Sequence, residues 1–354
     1  MTSHTISSQA TILEALGRLN DLSGSSMTLF VTDADGRIAG TLTDGDLRRA
    51  LLGGASLDAT VERAMHTAFR AITPADSPAA TVSRLRDFRS RGINLVPRLD
   101  SDGCLAELID LARTHTRLPL RAVLMAGGKG ERLRPLTLDC PKPLLQIDGK
   151  AIIDYNVEAL AACGVTDITA CVRYLADQIE GHFATPVAGV RVRCVREDTP
   201  LGTIGAATLC DIPDDDGLTL VMNSDLLTTI SFEEMYLKHV SSGADITIAV
   251  VPYQVSVPLA ILETDGDRVT GISEKPSYSY FANAGIYIFG NRVLASLQPG
   301  VRADAPDLVQ QYIDMGRRVT YYVINGTWLD VGSHADFAQA RELMRHHHNF
   351  NRQS

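Results

Sequence analysis

The sequence predicts an α/β protein: a mainly parallel sheet flanked by helices, preceded by a smaller α+β region. Three observations predict it. Beyond residue 120, apolar strand-length runs alternate with helix-length amphipathic segments, as in a parallel sheet covered on both faces. Within the first 116 residues a helix–strand–turn–strand pattern occurs twice, with Asp-x-Asp-Gly turns that end at Gly36 and Gly103. The length of 354 residues suggests two or three domains at roughly 150 residues each.

Taken in order, the first copy opens with an amphipathic helix that sets Ile12, Leu13, Leu16 and Leu19 on one face. A strand over 27–32, the turn Asp33–Gly36, a strand over 37–43 and a helix from about Asp44 follow. The second copy has a helix over 79–91, a strand over 93–99, the turn Asp100–Gly103 and a strand over 104–109. Asp-Gly turns suit hairpins because glycine accepts a positive φ. A calcium-binding EF-hand would need glycine at position six of its loop and glutamate at twelve, which neither turn supplies. The polar stretch Thr114–Pro119 reads as a linker. Strands are then expected over 121–126, 168–172, 191–196, 218–222 and 245–251. A helix is expected over 202–209, and the turn before it also reads as a helix start capped by Thr199 with Pro200 in its first position. The division is therefore 1–116, 120–345 and a polar, solvated tail over 346–354 that holds His346, His347 and His348.

Composition excludes several classes. Apolar residues make up 45% and charged residues 21%, which rules out disordered and fibrous chains. The net charge is −9 and no Lys/Arg run exists, so nucleic acid is not an expected partner. The longest apolar runs, such as 246–251, fall far short of the ~20 residues of a membrane span. Met1–Gln9 is polar and lacks the apolar stretch of a signal peptide, so a cytoplasmic location is expected. The cysteines at 104, 140, 163, 171, 194 and 210 form no Cys-x-x-Cys pair and read as scattered core thiols. No Ser-His-Asp or Cys-His arrangement appears, and His182 and His239 are expected on surface helices. Basic residues are 28 arginines against five lysines, at 129, 142, 150, 238 and 275; three of the five fall inside the motifs below.

The chemistry concentrates in Leu124-Met-Ala-Gly-Gly-Lys-Gly-Glu-Arg-Leu-Arg-Pro-Leu-Thr137, followed by Pro141-Lys-Pro143. Gly127, Gly128 and Gly130 let the backbone approach an anion and aim N–H groups at it. The spacing fits neither the Walker loop nor the dinucleotide-binding Gly-x-Gly-x-x-Gly. At these residues the sequence resembles the sugar-1-phosphate nucleotidyltransferases, whose signature is Gly-Gly-x-Gly-x-Arg-Leu-x-Pro-Leu-Thr with a downstream Pro-Lys-Pro. The resemblance implies a Rossmann-like nucleotidyltransferase fold from about Leu120 to Glu342. It implies that Leu124, Ala126, the three glycines, Glu197 and Gly202 bind the nucleoside triphosphate. Arg132 would stabilise the departing pyrophosphate and Lys142 the phosphates around the reacting phosphorus.

Further motifs lie in the family's order. Glu197-Asp-Thr-Pro-Leu-Gly-Thr203 is similar to its nucleobase turn, and Asn223-Ser-Asp225 to its Asn-Gly-Asp. Glu274-Lys-Pro276 and Asn283-Ala-Gly285 resemble its sugar-phosphate site, and Trp328-Leu-Asp330 supplies a second acidic residue. The resemblance implies that Asp225 and Asp330 hold Mg²⁺, and that Glu274, Lys275, Asn283 and Gly285 hold the sugar phosphate. Pro258-Leu-Ala260 departs from the Pro-Tyr-Gly common before the sugar strand.

The duplicated region resembles a pair of CBS domains, modules that often bind adenosine-type nucleotides. Thr43 and Asp46 fall where that family meets a phosphate and a ribose, which implies a regulatory purine nucleotide; the second copy departs, with Asp110 and Arg113 in those places. The alternative role for this region is assembly, and a homo-oligomer is expected. The whole arrangement is similar to bacterial guanylyltransferases that make GDP-sugars for surface glycans. The expected reaction joins a nucleoside triphosphate, GTP first, to glucosamine, mannose or heptose 1-phosphate. Two other readings stay open: a uridylyl- or thymidylyltransferase of the same fold, and a catalytically silent nucleotide-sugar sensor.

Overall fold

A computed structural model describes residues 2–23 and 26–351; the side chains of His346, His347 and His348 lie outside the described residues. The chain divides into two compact units, Met1–Leu118 with Ala162–Gly164 and Pro119–Ala161 with Val165–Ser354.

In the first unit, β1 (Thr5–Ser7) runs parallel to β2 (Thr28–Thr32), which pairs antiparallel with β3 (Ile38–Thr43). Helix α1 (Ile12–Asp21) starts at a capping box in which Thr11 and Glu14 satisfy each other's backbone N–H groups. Its buried stripe is Ile12, Ala15 and Leu19, whereas Leu13 is exposed. The expected face is thus rotated: spacing 3 and 4 selects Ala15, a small residue that lets the helix lie close to the sheet. Helix α2 (Asp44–Leu52) follows β3 directly. The second copy supplies α3 (Pro78–Ser90), β4 (Leu95–Leu99) and β5 (Leu105–Asp110), the two strands antiparallel. After β5 the chain makes a turn over 111–113 where the first copy has α2.

The second unit is built on a seven-stranded sheet. In chain order its elements are β6 (Leu120–Ala126), a short hairpin of β7 (Gln146–Ile147) and β8 (Lys150–Ala151), α4 (Ile152–Ala162), β9 (Ile168–Val172), α5 (Ala176–His182), β10 (Val192–Arg196) and β11 (Leu218–Asn223). Then come β12 (Leu226–Thr228), α6 (Phe232–Ser242), β13 (Ile246–Ser256), the hairpin β14 (Ile261–Asp265) and β15 (Arg268–Ser273), and β16 (Ser277–Gly290). The chain ends through α7 (Asn291–Ala295), α8 (Ala305–Asp314), β17 (Val319–Val323), β18 (Trp328–Asp330) and α9 (His334–Asn351). Helix α9 therefore continues through most of the expected polar tail.

The sheet order is β10-β9-β6-β11-β16-β13-β17, and only β16 runs against its neighbours, so the sheet is mainly parallel as expected. Every residue of β9 is buried, the near-continuous apolar run that a strand covered on both faces requires. Two features depart from expectation. Residues 205–209 form a 3-10 turn and 197–204 an irregular loop, so Thr199 and Pro200 open no helix. His239 lies on α6 but is 3% exposed, its Nδ1 2.8 Å from the Thr247 hydroxyl of β13; burial pulls its pKa down to about 4. His182 is half-buried and sits 2.7 Å from Asp154.

Candidate active site

From β6 the chain builds outward to β9 and β10, then returns to set β11 on the other side of β6. Such a switch point leaves a crevice beyond the carboxyl ends of the two central strands, where open α/β sheets take ligands. A cavity of about 320 Å³ opens there, large enough for part of a small-molecule ligand. It gathers Ala126, Gly127, Gly128, Lys142, Glu197, Gly202 and Asp225 from four separate stretches of sequence. Leu124 is not among them: it is fully buried within β6, and only the last two residues of that strand, Met125 and Ala126, reach the cavity.

The glycine loop is shaped by what lies behind it. A Cβ on Gly127 would fall 2.6 Å from Glu197 Oε1, so any larger residue there would have to displace that carboxylate. Gly128 has nothing within 4 Å of its Cβ position, leaving its backbone open. The loop returns through Gly130, whose carbonyl accepts the Thr137 hydroxyl at 2.8 Å and which packs on the Lys142 side chain. Glu197 is 7% exposed and accepts the Leu201 N–H at 3.1 Å. Its carboxylate thus holds the 197–201 turn against the glycine loop. Gly202 needs its positive φ of 82°, and its Cβ position would strike the Ala303 carbonyl at 2.4 Å. Asp304 clamps the same turn by accepting the Thr203 N–H at 2.9 Å.

The charged centre lies at the β11 end. β12 pairs with β18 so that Leu226 opposes Asp330, which brings Asp225 and Asp330 together from 105 residues apart in sequence. The Lys142 ammonium sits between them, ion-paired to Asp225 and 3.4 Å from Asp330. Burial and then the neighbouring Asp225 charge push the Asp330 carboxyl above its ordinary range, with Lys142 and Arg132 opposing. Asp225 Oδ1 is buried without a hydrogen-bond partner among the described residues. Arg132 stands beside this group, its guanidinium 3.1 Å from the Cβ position of Gly332. Arg132 and Asp330 flank the cavity rather than line it.

The expected sugar-phosphate residues are only partly gathered. Gly285 packs on Asn223, its Cβ position 2.6 Å from the Asn223 amide nitrogen. Asn283 accepts the Gly285 N–H at 3.0 Å and donates to the Tyr287 hydroxyl. Glu274 and Lys275 are exposed between β15 and β16, outside the cavity, with Lys275 in the left-handed region at a φ of 45°. Sequence reasoning missed two cavity residues, Arg173 and Arg302. No motif contains them; their places follow from the sheet order and from the 302–304 segment that meets Gly202.

In the first unit, Thr43 and Asp46 bond each other. The Thr43 hydroxyl donates to Asp46 Oδ2 at 2.6 Å, and the Asp46 N–H donates to the hydroxyl at 3.3 Å, which caps α2. Burial works to raise the Asp46 carboxyl, but the Thr43 bonds and the Arg49 guanidinium outweigh it and hold the pKa below its ordinary value.

A glycine loop, a lysine and two convergent carboxylates at a switch point define an α/β protein built to hold a phosphate-bearing ligand. The sequence family described as nucleotidyl transferase matches residues 121–347, and the chain belongs to that family. The CBS domain family matches residues 1–53, the first of the two copies. Among relatives, mannose-1-phosphate guanyltransferase beta-B of Xenopus laevis is 31% identical over 243 residues, covering 65% of this chain and 67% of that protein. Mannose-1-phosphate guanyltransferase of Neurospora crassa is 31% identical over 227 residues, 62% of each. The chain thus spans about two thirds of the length of the curated relatives it matches. A solved structure from Bacillus anthracis, provisionally assigned as a glucose-1-phosphate thymidylyltransferase, superposes with a TM-score of 0.50. It is 23% identical and covers 64% of this chain and 95% of that one, a likeness of fold.

Proposed function

We propose that the chain transfers a nucleotidyl group from GTP to a sugar 1-phosphate, releasing pyrophosphate and forming a GDP-sugar for surface glycan synthesis. The observation that supports this best is the convergence of Lys142, Asp225 and Asp330 at the mouth of the glycine loop. The relatives named as mannose-1-phosphate guanyltransferases favour GTP and make mannose 1-phosphate the first acceptor to test, ahead of glucosamine and heptose 1-phosphates. A sugar-phosphate oxygen would attack the α-phosphorus in line with the leaving pyrophosphate, so catalysis is positioning and charge stabilisation. The glycine loop would take the triphosphate on its N–H groups, Lys142 would hold the reacting phosphate, and Arg132 would meet charge as it develops on the leaving group.

Asp225 and Asp330 fit Mg²⁺: two hard oxygen donors converge, one has an orphaned buried oxygen, and the ion between them is already a cation, the Lys142 ammonium. When bound, Mg²⁺ supplies charge neutralisation on the phosphates. Glu274, Lys275, Asn283 and Gly285 are assigned to the sugar phosphate, which requires the exposed β15–β16 turn to approach the acceptor. Residues 1–116 are assigned as a CBS pair. For a purine nucleotide at Thr43 and Asp46, the ligand would have to replace the helix cap they now form.

No helix among the described residues is long and apolar enough to cross a membrane. The six cysteines are free thiols, which suits the cytoplasm as the proposed setting. We further assign assembly to the ribbon formed by residues 251–256 of β13 and 277–282 of β16, on which a second copy would sit. The deciding assay measures pyrophosphate release for four nucleoside triphosphates against a panel of sugar 1-phosphates with Mg²⁺. Asp225→Asn and Asp330→Asn should each abolish Mg²⁺-dependent release with the fold intact by circular dichroism. Turnover with a pyrimidine nucleotide alone would replace GTP, and no release with any pair would remove the transferase assignment.

A further inference from the structure

We propose that Arg173 reads the nucleobase, placing its guanidinium fork on the N7 and O6 acceptors of guanine. The inference rests on the nucleotidyl-transfer assignment of the same cavity and adds the residue that would select its nucleotide.

Arg173 directly follows Val172, the last residue of β9. Val172 is paired with Ala126 of β6, and Met125 of β6 with Asn223 of β11. Arg173 and the Ser224–Asp225 pair therefore leave the same edge of the sheet two strands apart, about 10 Å at the ordinary strand spacing. All three line the one cavity. The Asp225 end holds Lys142, Asp330 and Arg132, so the reacting phosphorus belongs there. The other phosphates are bonded to it through single bridging oxygens and stay near that end. The ribose carries the base farther off, across the cavity to the β9 side.

Arg173 is equipped for such a contact. It is half-buried, its Cβ lies 3.5 Å from the Cβ position of Gly127, and it makes no hydrogen bond or ion pair with any described residue. The other cavity arginine, Arg302, is already paired with Asp304 at 3.1 Å. Glu197, the carboxylate of that end, accepts the Leu201 N–H and has no ion pair with Arg173. A guanidinium offers only donors and calls for acceptors. Guanine presents two side by side, whereas adenine pairs its N7 acceptor with an amino donor that would face the arginine. A phosphate would also satisfy a guanidinium, so the test must separate base from phosphate.

The experiment measures kcat/KM for GTP, ATP, UTP and 7-deaza-GTP in the wild type, Arg173→Ala and Arg173→Lys, with acceptor and Mg²⁺ fixed. A bidentate base contact corresponds to roughly 5- to 150-fold in discrimination. Arg173→Ala should lose about that much with GTP and little with UTP. Arg173→Lys should not recover it, because an ammonium lacks the fork. 7-Deaza-GTP, which lacks the N7 acceptor, should be a poorer substrate than GTP for the wild type and equal to it for Arg173→Ala. An equal loss with every nucleotide, recovery by lysine, unchanged GTP use, or a wild type that prefers a pyrimidine would overturn the inference. If the wild type turns over no nucleotide, the transferase assignment fails separately. Calorimetric binding of GTP against 7-deaza-GTP to the same three proteins then decides the role of Arg173 by the same differences.

Discussion

Single residues set both the chemistry and the shape of the cavity. Arg132 is packed beside the Asp330 carboxyl by Gly332, and its contact would strengthen only as the leaving pyrophosphate gains charge. Only such differential contacts raise turnover. Arg132→Ala should therefore lower kcat by roughly 10²–10³, as single oxyanion donors do, and leave KM for the nucleotide little changed. Steady-state kinetics checks this, and near-normal turnover would remove the role. Gly202 sets shape instead. Any side chain there must accept a φ of 82° and displace the Ala303 carbonyl, 2.4 Å from its Cβ position. Gly202→Ala should cost about 2–4 kcal/mol, combining left-handed strain with overpacking against backbone. A denaturant midpoint equal to wild type would show that the 303–304 segment can yield. The motif residues were legible because their spacing is local: glycine loop, Pro-Lys-Pro and Asn-Ser-Asp each sit within a few positions. Arg173 and Arg302 were not, since only the order β9-β6-β11 and the contact of residue 303 with Gly202 bring them to the cavity.

Elements followed the sequence wherever burial alone decides them. The strand over 168–172 could be read to the residue because all five positions face apolar layers. The 197–209 segment could not, because the Thr203 N–H is taken by Asp304, 101 residues away, in place of the helical bonding its local pattern favours. The face of α1 was misread by one step for a related reason: four large apolar residues outweigh one alanine on a hydropathy count, yet the sheet selects the smaller side chain for close approach. Helix α6 has a pH consequence that its sequence hides. His239 reads as a surface position, but α6 packs it on β13, where the neutral ring bonds the Thr247 hydroxyl and only Asp245 pulls its pKa back upward. Its folded pKa of about 4 lies below the ordinary 6.5, so its contribution is fully present above pH 6.5 and is lost as pH falls through 4. The full effect is roughly 3 kcal/mol. Urea midpoints of wild type should fall between pH 7 and 4.5 more than those of His239→Gln. Parallel pH dependence in the two proteins would mean the imidazole is not held neutral.

At the scale of the whole molecule, the surface is uneven in a way that bears on assembly. The chain has a net charge of −9, so two copies carry a net mutual repulsion that an interface must overcome. The ribbon of β13 and β16 is different. Beyond Val250 on one strand and before Ile286 on the other, neither has a further sheet neighbour. Residues 252–256 and 277–282 carry no charge. Tyr253 opposes Tyr280 and Val255 opposes Tyr278, which places the four on one face, and the two tyrosines of the first pair are each 58% exposed. Phe281 leans on Tyr321 from the other face, and both are about half exposed. A two-stranded ribbon open on both faces is marginal by itself. Aromatic side chains at about half exposure offer roughly 100 Å² each, so the ribbon would supply the apolar centre of the proposed interface, about 800 Å² per partner. A twofold arrangement would set each ribbon on its equivalent. Wild type should therefore sediment as a dimer or larger assembly at micromolar concentration, and Tyr253→Glu with Tyr280→Glu as a monomer. Surface substitutions of this kind shift monomer stability by only about 0.5 kcal/mol, which a melt at low concentration can verify. The same ribbon leads into Pro258–Ala260 and the Glu274–Lys275 turn, so freeing it should raise KM for the sugar phosphate while KM for the nucleotide stays put. A monomeric wild type, or a double variant that keeps its assembly, would remove the ribbon as the contact. A monomeric variant with unchanged acceptor KM would confine the ribbon to assembly and leave the acceptor turn independent of it.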